Sequence, residues 1–149
     1  MAHHSPTEIE RVVKLLGGPS VIRSAPTNRR ELVEVLRVGL PYKSLTSVSE
    51  SLNFSTERVA EVLALPRRTL SRRRGPDRLT TEESERVARL ARVASRAIDV
   101  FEDREKAIRW LTKPNRALGD CDPLSLLDTD VGTQTVEEEL LRIEHGFFA

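Results

Sequence analysis

Between Thr80 and Phe101 the apolar residues Val87, Leu90, Ala94, Ala97 and Phe101 return at intervals of three, four, three and four. Only a helix brings such a series onto one side, and Ile98 widens the stripe. Thr80 and Glu83 stand at capping-box spacing, where hydroxyl and carboxylate satisfy backbone N–H groups orphaned at a helix start. About two heptads of seam is short for a coiled coil and favours a bundle helix, which can in addition pair with the same helix of a second copy. The spacing leaves that pairing open.

Shorter helical patterns fill the rest of the chain. Ile9, Val12, Val13, Leu15 and Leu16 form a first helix that stops at Gly17-Gly18, and PSVIRSAPTN follows as a linker. Leu32, Val35 and Leu36 stripe a second helix closed by Gly39 and Pro41, and Leu45, Val48 and Leu52 stripe a third. Asp103 caps REKAIRWLT, Asp122-Pro123 opens a short turn, and Thr135 with Glu138 is read as the capping box of a last helix ending at Gly146. With only 4% aromatic residues, 32% charged residues and no convincing strand, the expected class is all-α.

Net charge is +1, yet it is unevenly placed. Residues 120–149 carry eight acids against the single base Arg142, whereas residues 66–78 carry six arginines against Asp77. A basic middle and an acidic end point to two different partners. One cysteine, Cys121, excludes an internal disulfide and suits a reducing, cytoplasmic setting. No apolar run approaches the ~20 residues a membrane span needs.

The basic stretch has a shape. Ser55 caps a helix over residues 55–63, Ala64-Leu65 turn, and Pro66 opens a second helix over residues 66–74. Two short helices at a tight turn have the dimensions of a helix-turn-helix, whose second helix enters the DNA major groove. Ala60 suits the helix crossing, Leu65 and Leu70 suit the core, and Arg67, Arg68, Ser71, Arg72 and Arg74 are left to face outward. Arginines on a capped helix meet phosphates at fixed spacing and fork onto guanine edges. Thr69 either contacts DNA or faces the first helix, with a contact preferred, and Ser55 completes the candidate DNA-binding set. The competing reading is a solvated basic face, or arginines locked to the acidic end.

Other constellations carry less. His3, His4 and His145 have no carboxylate or cysteine at metal-ligand spacing. Gly17-Gly18 has no phosphate-loop context. Consecutive Glu137, Glu138 and Glu139 at a helix start fit the macrodipole rather than acid–base chemistry. No residue set supports catalysis, a cofactor or a small-molecule substrate.

The pieces RVAEVLALPRRTLSRRR, RLTTEESERVARLARV and KAIRWLTKPNRALGDCDPLSLLDTDVGTQTVEEELLRIEHGFF, in that order over residues 40–149, resemble the Xre/MbcA/ParS-type antitoxins of bacterial toxin–antitoxin pairs. The last piece, with WLTKPNRALG, DPLSLLDT and RIEHG, is the most specific. The resemblance implies an Xre-like helix-turn-helix domain followed by a small helical toxin-binding domain. It implies binding to operator DNA of the protein's own operon, a RES-domain toxin partner that consumes NAD, and a homodimer. Candidate toxin contacts are Trp110, Pro114, Leu118, Arg142, His145, Gly146, Phe147 and Phe148. Trp110 lies on the apolar side of its helix, which favours core packing, while Phe147 and Phe148 follow a helix stop. An end rich in carboxylates complements a cleft built for the NAD pyrophosphate.

The expected organisation is an N-terminal helix and linker (1–26), the helix-turn-helix DNA-binding domain (27–79), a long connecting or dimerisation helix (80–101) and the toxin-binding domain (102–149). The alternative is a helix-turn-helix regulator whose C-terminal part senses a ligand or dimerises, with no toxin.

Overall fold

The computed structural model describes residues 5–71 and 78–146, the Ser71 side chain excepted. Its helices are α1 (Glu8–Leu15), α2 (Arg29–Val38), α3 (Tyr42–Ser51), α4 (Thr56–Val62), α5 (Arg67–Ser71), α6 (Thr81–Phe101), α7 (Arg104–Thr112) and α8 (Asp130–Glu144). Among the described residues, three 3-10 turns, Gly18–Ser20, Arg116–Leu118 and Pro123–Leu126, punctuate them. Among the described residues there are no strands, only isolated bridges joining Pro41 to Arg78 and Asn115 to Cys121. The fold is all-α, as expected.

The long helix is the axis of the molecule. α1, α2, α3, α7 and α8 all pack on α6. Val87, Leu90, Ala91, Val93, Ala94 and Ala97 are fully buried, a burial wide enough to mark an interior helix. Alanine and serine at 84, 88, 91, 94, 95 and 97 let neighbouring backbones approach from several directions. The seam Val87, Leu90, Ala94 and Ala97 is therefore consumed inside the chain, as the preferred reading of a bundle helix requires. One apolar cluster runs from Val12 to Leu140, so both halves of the sequence share a core.

The caps expected from the sequence at Ser55, Thr80, Asp103 and Asp122 all form, and one expected cap does not. Thr80 accepts from Glu83 N at 3.1 Å while Glu83 accepts from Thr80 N at 2.8 Å, closing the expected box. Asn28, Ser55 and Asp103 cap α2, α4 and α7. At the start of α2 the Glu31 carboxyl is held below its usual range, first by the Thr27 hydroxyl and then by the Thr27 backbone N–H.

The exception is α8. It begins at Asp130 with Thr129 as its cap, and Thr135 lies inside it, its hydroxyl donating to the Val131 carbonyl at 2.9 Å. The box expected at Thr135 and Glu138 is thus wrong. Gly132 in the first turn lowers helix propensity, so periodicity becomes visible only beyond it. A Cβ at Gly132 would collide with the Leu126 carbonyl oxygen, so the glycine is what lets α8 lie on the Pro123–Leu126 turn.

The segment read as a linker is also packed. Ile22 and Pro26 are buried within it.

Candidate functional site

α4 and α5 meet at a turn that the sequence forces to be tight. Ala64 adopts the left-handed conformation at φ 54, and Leu65 N donates back to the Ala60 carbonyl at 2.8 Å. Ala60, Leu63 and Leu65 enter the core, so the turn is nailed down by apolar contact. A non-glycine residue in this region of backbone space is strained. Arg86 of α6 supports it from outside by donating to the Ala64 carbonyl at 2.9 Å.

The described part of α5 displays Arg67 and Arg68 on its exposed side. Leu70 packs against the core, as expected. Ser55 is exposed at the start of α4 and its hydroxyl accepts from Arg58 N at 3.1 Å. Arg58 stacks its guanidinium 4.5 Å above the Phe54 ring, which holds another cation on the α4 surface. Arg72 and Arg74 lie outside the described residues, as does the side chain of Ser71.

Thr69 is a correction. Its side chain is fully buried and its hydroxyl donates to the Glu83 carboxylate of α6. A side chain enclosed in this way has no surface to offer a duplex.

At the other end, the candidate contacts divide. Pro114, Arg142, His145 and Gly146 are exposed, with Arg142 bound to Glu139 at 3.2 Å and His145 closing α8. Trp110 is half-buried, its ring 5.8 Å from that of Phe101, so most of it belongs to the α6–α7 packing. Leu118 is a second correction: at 7% exposure it belongs to the core under the Arg116–Leu118 turn. Phe147 and Phe148 lie outside the described residues.

Sequence reasoning missed Val131 and Leu141, which are 73% and 43% exposed on α8. Helical spacing sets them on one face with Glu138, Arg142 and His145. The signal was present, but moving the start of the helix to Thr135 left Val131 in a loop.

The acidic end is less bare than its charge implies. Arg92 donates to Glu137 at 2.6 Å and Arg96 to Glu144 at 3.4 Å, both from α6. A groove of about 490 Å³ between α1, α2, α6 and α8 is lined by Arg29, Arg89, Arg92 and Arg96 against Glu8, Glu85, Asp130 and Glu137. Balanced charge gives it no preference for an anion or a cation.

Two domain families map onto this arrangement. Residues 31–92 match the antitoxin Xre-like helix-turn-helix domain, and residues 96–146 match the antitoxin Xre/MbcA/ParS C-terminal toxin-binding domain. An Antitoxin Xre of Yersinia enterocolitica is 38% identical over 120 residues, covering 79% of this chain and 81% of that protein. An Antitoxin Xre of Photorhabdus laumondii is 36% identical over 75% of this chain and 77% of its own length. A Sphingobium protein named Prs ADP-ribosylating antitoxin is 29% identical over 87% of this chain and 86% of its own length. The chain belongs to the Xre/MbcA/ParS antitoxin family, with a helix-turn-helix DNA-binding domain joined through α6 to a toxin-binding domain.

Proposed function

We propose that this antitoxin neutralises a RES-domain toxin that consumes NAD and represses its own operon by binding the operator. The DNA contacts fall in residues 55–74, with Arg67 and Arg68 outermost among those described. The toxin contacts fall on the exposed side of α8 and the residues after it. The protein acts as a cytoplasmic homodimer whose copies meet away from the buried α6 seam.

The observation that carries this reading is the exposed apolar pair Val131 and Leu141 on a helix inside the matched toxin-binding domain. Exposed aliphatic side chains rimmed by charge are what a protein interface covers. The carboxylates that remain outside the Arg92 and Arg96 pairs supply attraction toward a cationic, pyrophosphate-binding cleft.

The Sphingobium relative favours a second form of the same reading. An ADP-ribosylating toxin and an NAD hydrolase break the same nicotinamide–ribose bond and differ in whether protein or water accepts the ADP-ribose. Titrating the purified chain into the toxin encoded beside it, while following both NAD loss and ADP-ribose attached to protein, tests both forms. Stoichiometric arrest of NAD loss without protein labelling supports the hydrolase; arrest of labelling supports the transferase. A neighbouring protein that neither binds the chain nor consumes NAD would return it to the class of plain regulators.

A further inference from the structure

The bond between Thr69 and Glu83 crosses from the second helix of the helix-turn-helix to the first turn of α6. Both side chains are buried, Thr69 completely and Glu83 to 4% exposure. Glu83 divides its carboxylate, with Oε1 accepting from Thr80 N at the α6 start and Oε2 accepting from the Thr69 hydroxyl. One turn later on the same side of α6, Arg86 holds the Ala64 carbonyl at the entry to α5. α5 and the turn that leads into it are thus each tied to α6 by a directional bond.

The apolar anchors of this helix, Leu65 and Leu70, resist its leaving the core but tolerate rotation and sliding, because apolar contact is non-directional. A charge-assisted hydrogen bond is stronger and more restrictive. Successive residues of a helix point about 100° apart, so fixing Thr69 toward α6 fixes the directions in which Arg67 and Arg68 leave the helix.

We infer that the Thr69–Glu83 bond is the positioning element of DNA recognition: it sets the rotation of α5 and thereby which base edges its arginines reach. Thr69 touches no DNA itself. It acts through Arg67 and Arg68, and the inference rests on their assignment to the duplex.

Sequence-independent affinity comes mainly from phosphate neutralisation and tolerates a rotated helix, whereas base readout does not. The test is therefore a ratio. Full-length chain is measured on the tightest duplex that the parent selects from a random pool and on a scrambled duplex of equal length. Thr69→Val keeps the volume and removes the donor; Thr69→Ser keeps the donor. Thr69→Val is expected to weaken binding to the selected duplex by roughly tenfold or more while shifting the scrambled duplex less than about twofold, and Thr69→Ser to restore the ratio. A general loss of folded protein lowers both affinities together, and such parallel loss would overturn the inference. So would a Thr69→Val ratio equal to the parent's, or a Thr69→Ser variant as unselective as Thr69→Val. A parent that selects no sequence would instead remove the DNA-recognition reading on which the inference stands.

Discussion

Arg92 on α6 donates to Glu137 on α8 at 2.6 Å, and neither side chain is more than 40% exposed. This pair joins the helix that braces the DNA-binding half to the helix that forms the outer wall of the toxin-binding half. The two electrical ends seen in the sequence are thus not separate: arginines of the connecting helix neutralise part of the acidic end, while the α5 arginines Arg67 and Arg68 stay on the surface.

Because both partners keep access to solvent, the bond contributes modestly. A double-mutant cycle over Arg92→Ala and Glu137→Ala, read by urea unfolding, should give a coupling of about 0.5–1 kcal/mol. It should shrink in concentrated salt. A coupling of zero at low salt would mean that α8 is not held to α6 by this pair.

Arg67→Ala and Arg68→Ala should weaken DNA binding and leave toxin neutralisation intact, since both residues are exposed on α5, away from the matched toxin-binding domain. An arginine forked onto a guanine should cost about 1–3 kcal/mol at that base pair, whereas a phosphate contact should lower the salt slope by about one. Binding isotherms at several salt concentrations separate the two. A variant that loses toxin neutralisation while remaining folded would contradict this division of labour.

Gly132→Ala tests whether α8 depends on close approach. Helix propensity alone predicts that alanine stabilises an α8 residue by up to about 1 kcal/mol. The Leu126 carbonyl in the path of the new Cβ predicts the opposite sign. A loss of about 1–3 kcal/mol in urea unfolding is expected, together with weaker toxin binding as the start of α8 shifts. A stabilised variant would show that the Pro123–Leu126 turn yields freely.

What could be read in advance follows from how local each signal is. The α6 helix and its Thr80–Glu83 box were legible because periodicity and capping lie within the segment itself. The same holds for the Ser55 cap and the leucines behind the arginine helix. The partner of the α6 seam was not legible, because spacing states that a face is buried and not what buries it. Thr69 reads as a polar residue among arginines, and only the distant Glu83 makes it interior. Leu118 sits in a polar stretch whose 3-10 turn folds it inward. Gly132 hid the start of α8, and with it the exposed position of Val131.

Val131 and Leu141 supply the most direct test of where the toxin docks. Both are exposed and both belong to the matched toxin-binding domain. Replacing either by aspartate would add charge that a cationic cleft attracts and so confuse the result; glutamine removes apolar surface and keeps the charge. Val131→Gln and Leu141→Gln should each leave folding stability within about 0.5 kcal/mol, because both side chains are exposed and neither supplies a cap bond. Each should weaken toxin binding by about 1–2 kcal/mol if its side chain lies in a desolvated contact. DNA affinity should be unchanged, since α8 lies outside the matched helix-turn-helix domain. Calorimetric titration against the toxin reads the first effect and a duplex-binding assay the second. Unaltered toxin affinity in both variants would move the docking surface off this side of α8, leaving the exposed residues Pro114, after α7, and Gly146, after α8, as the surface to test next.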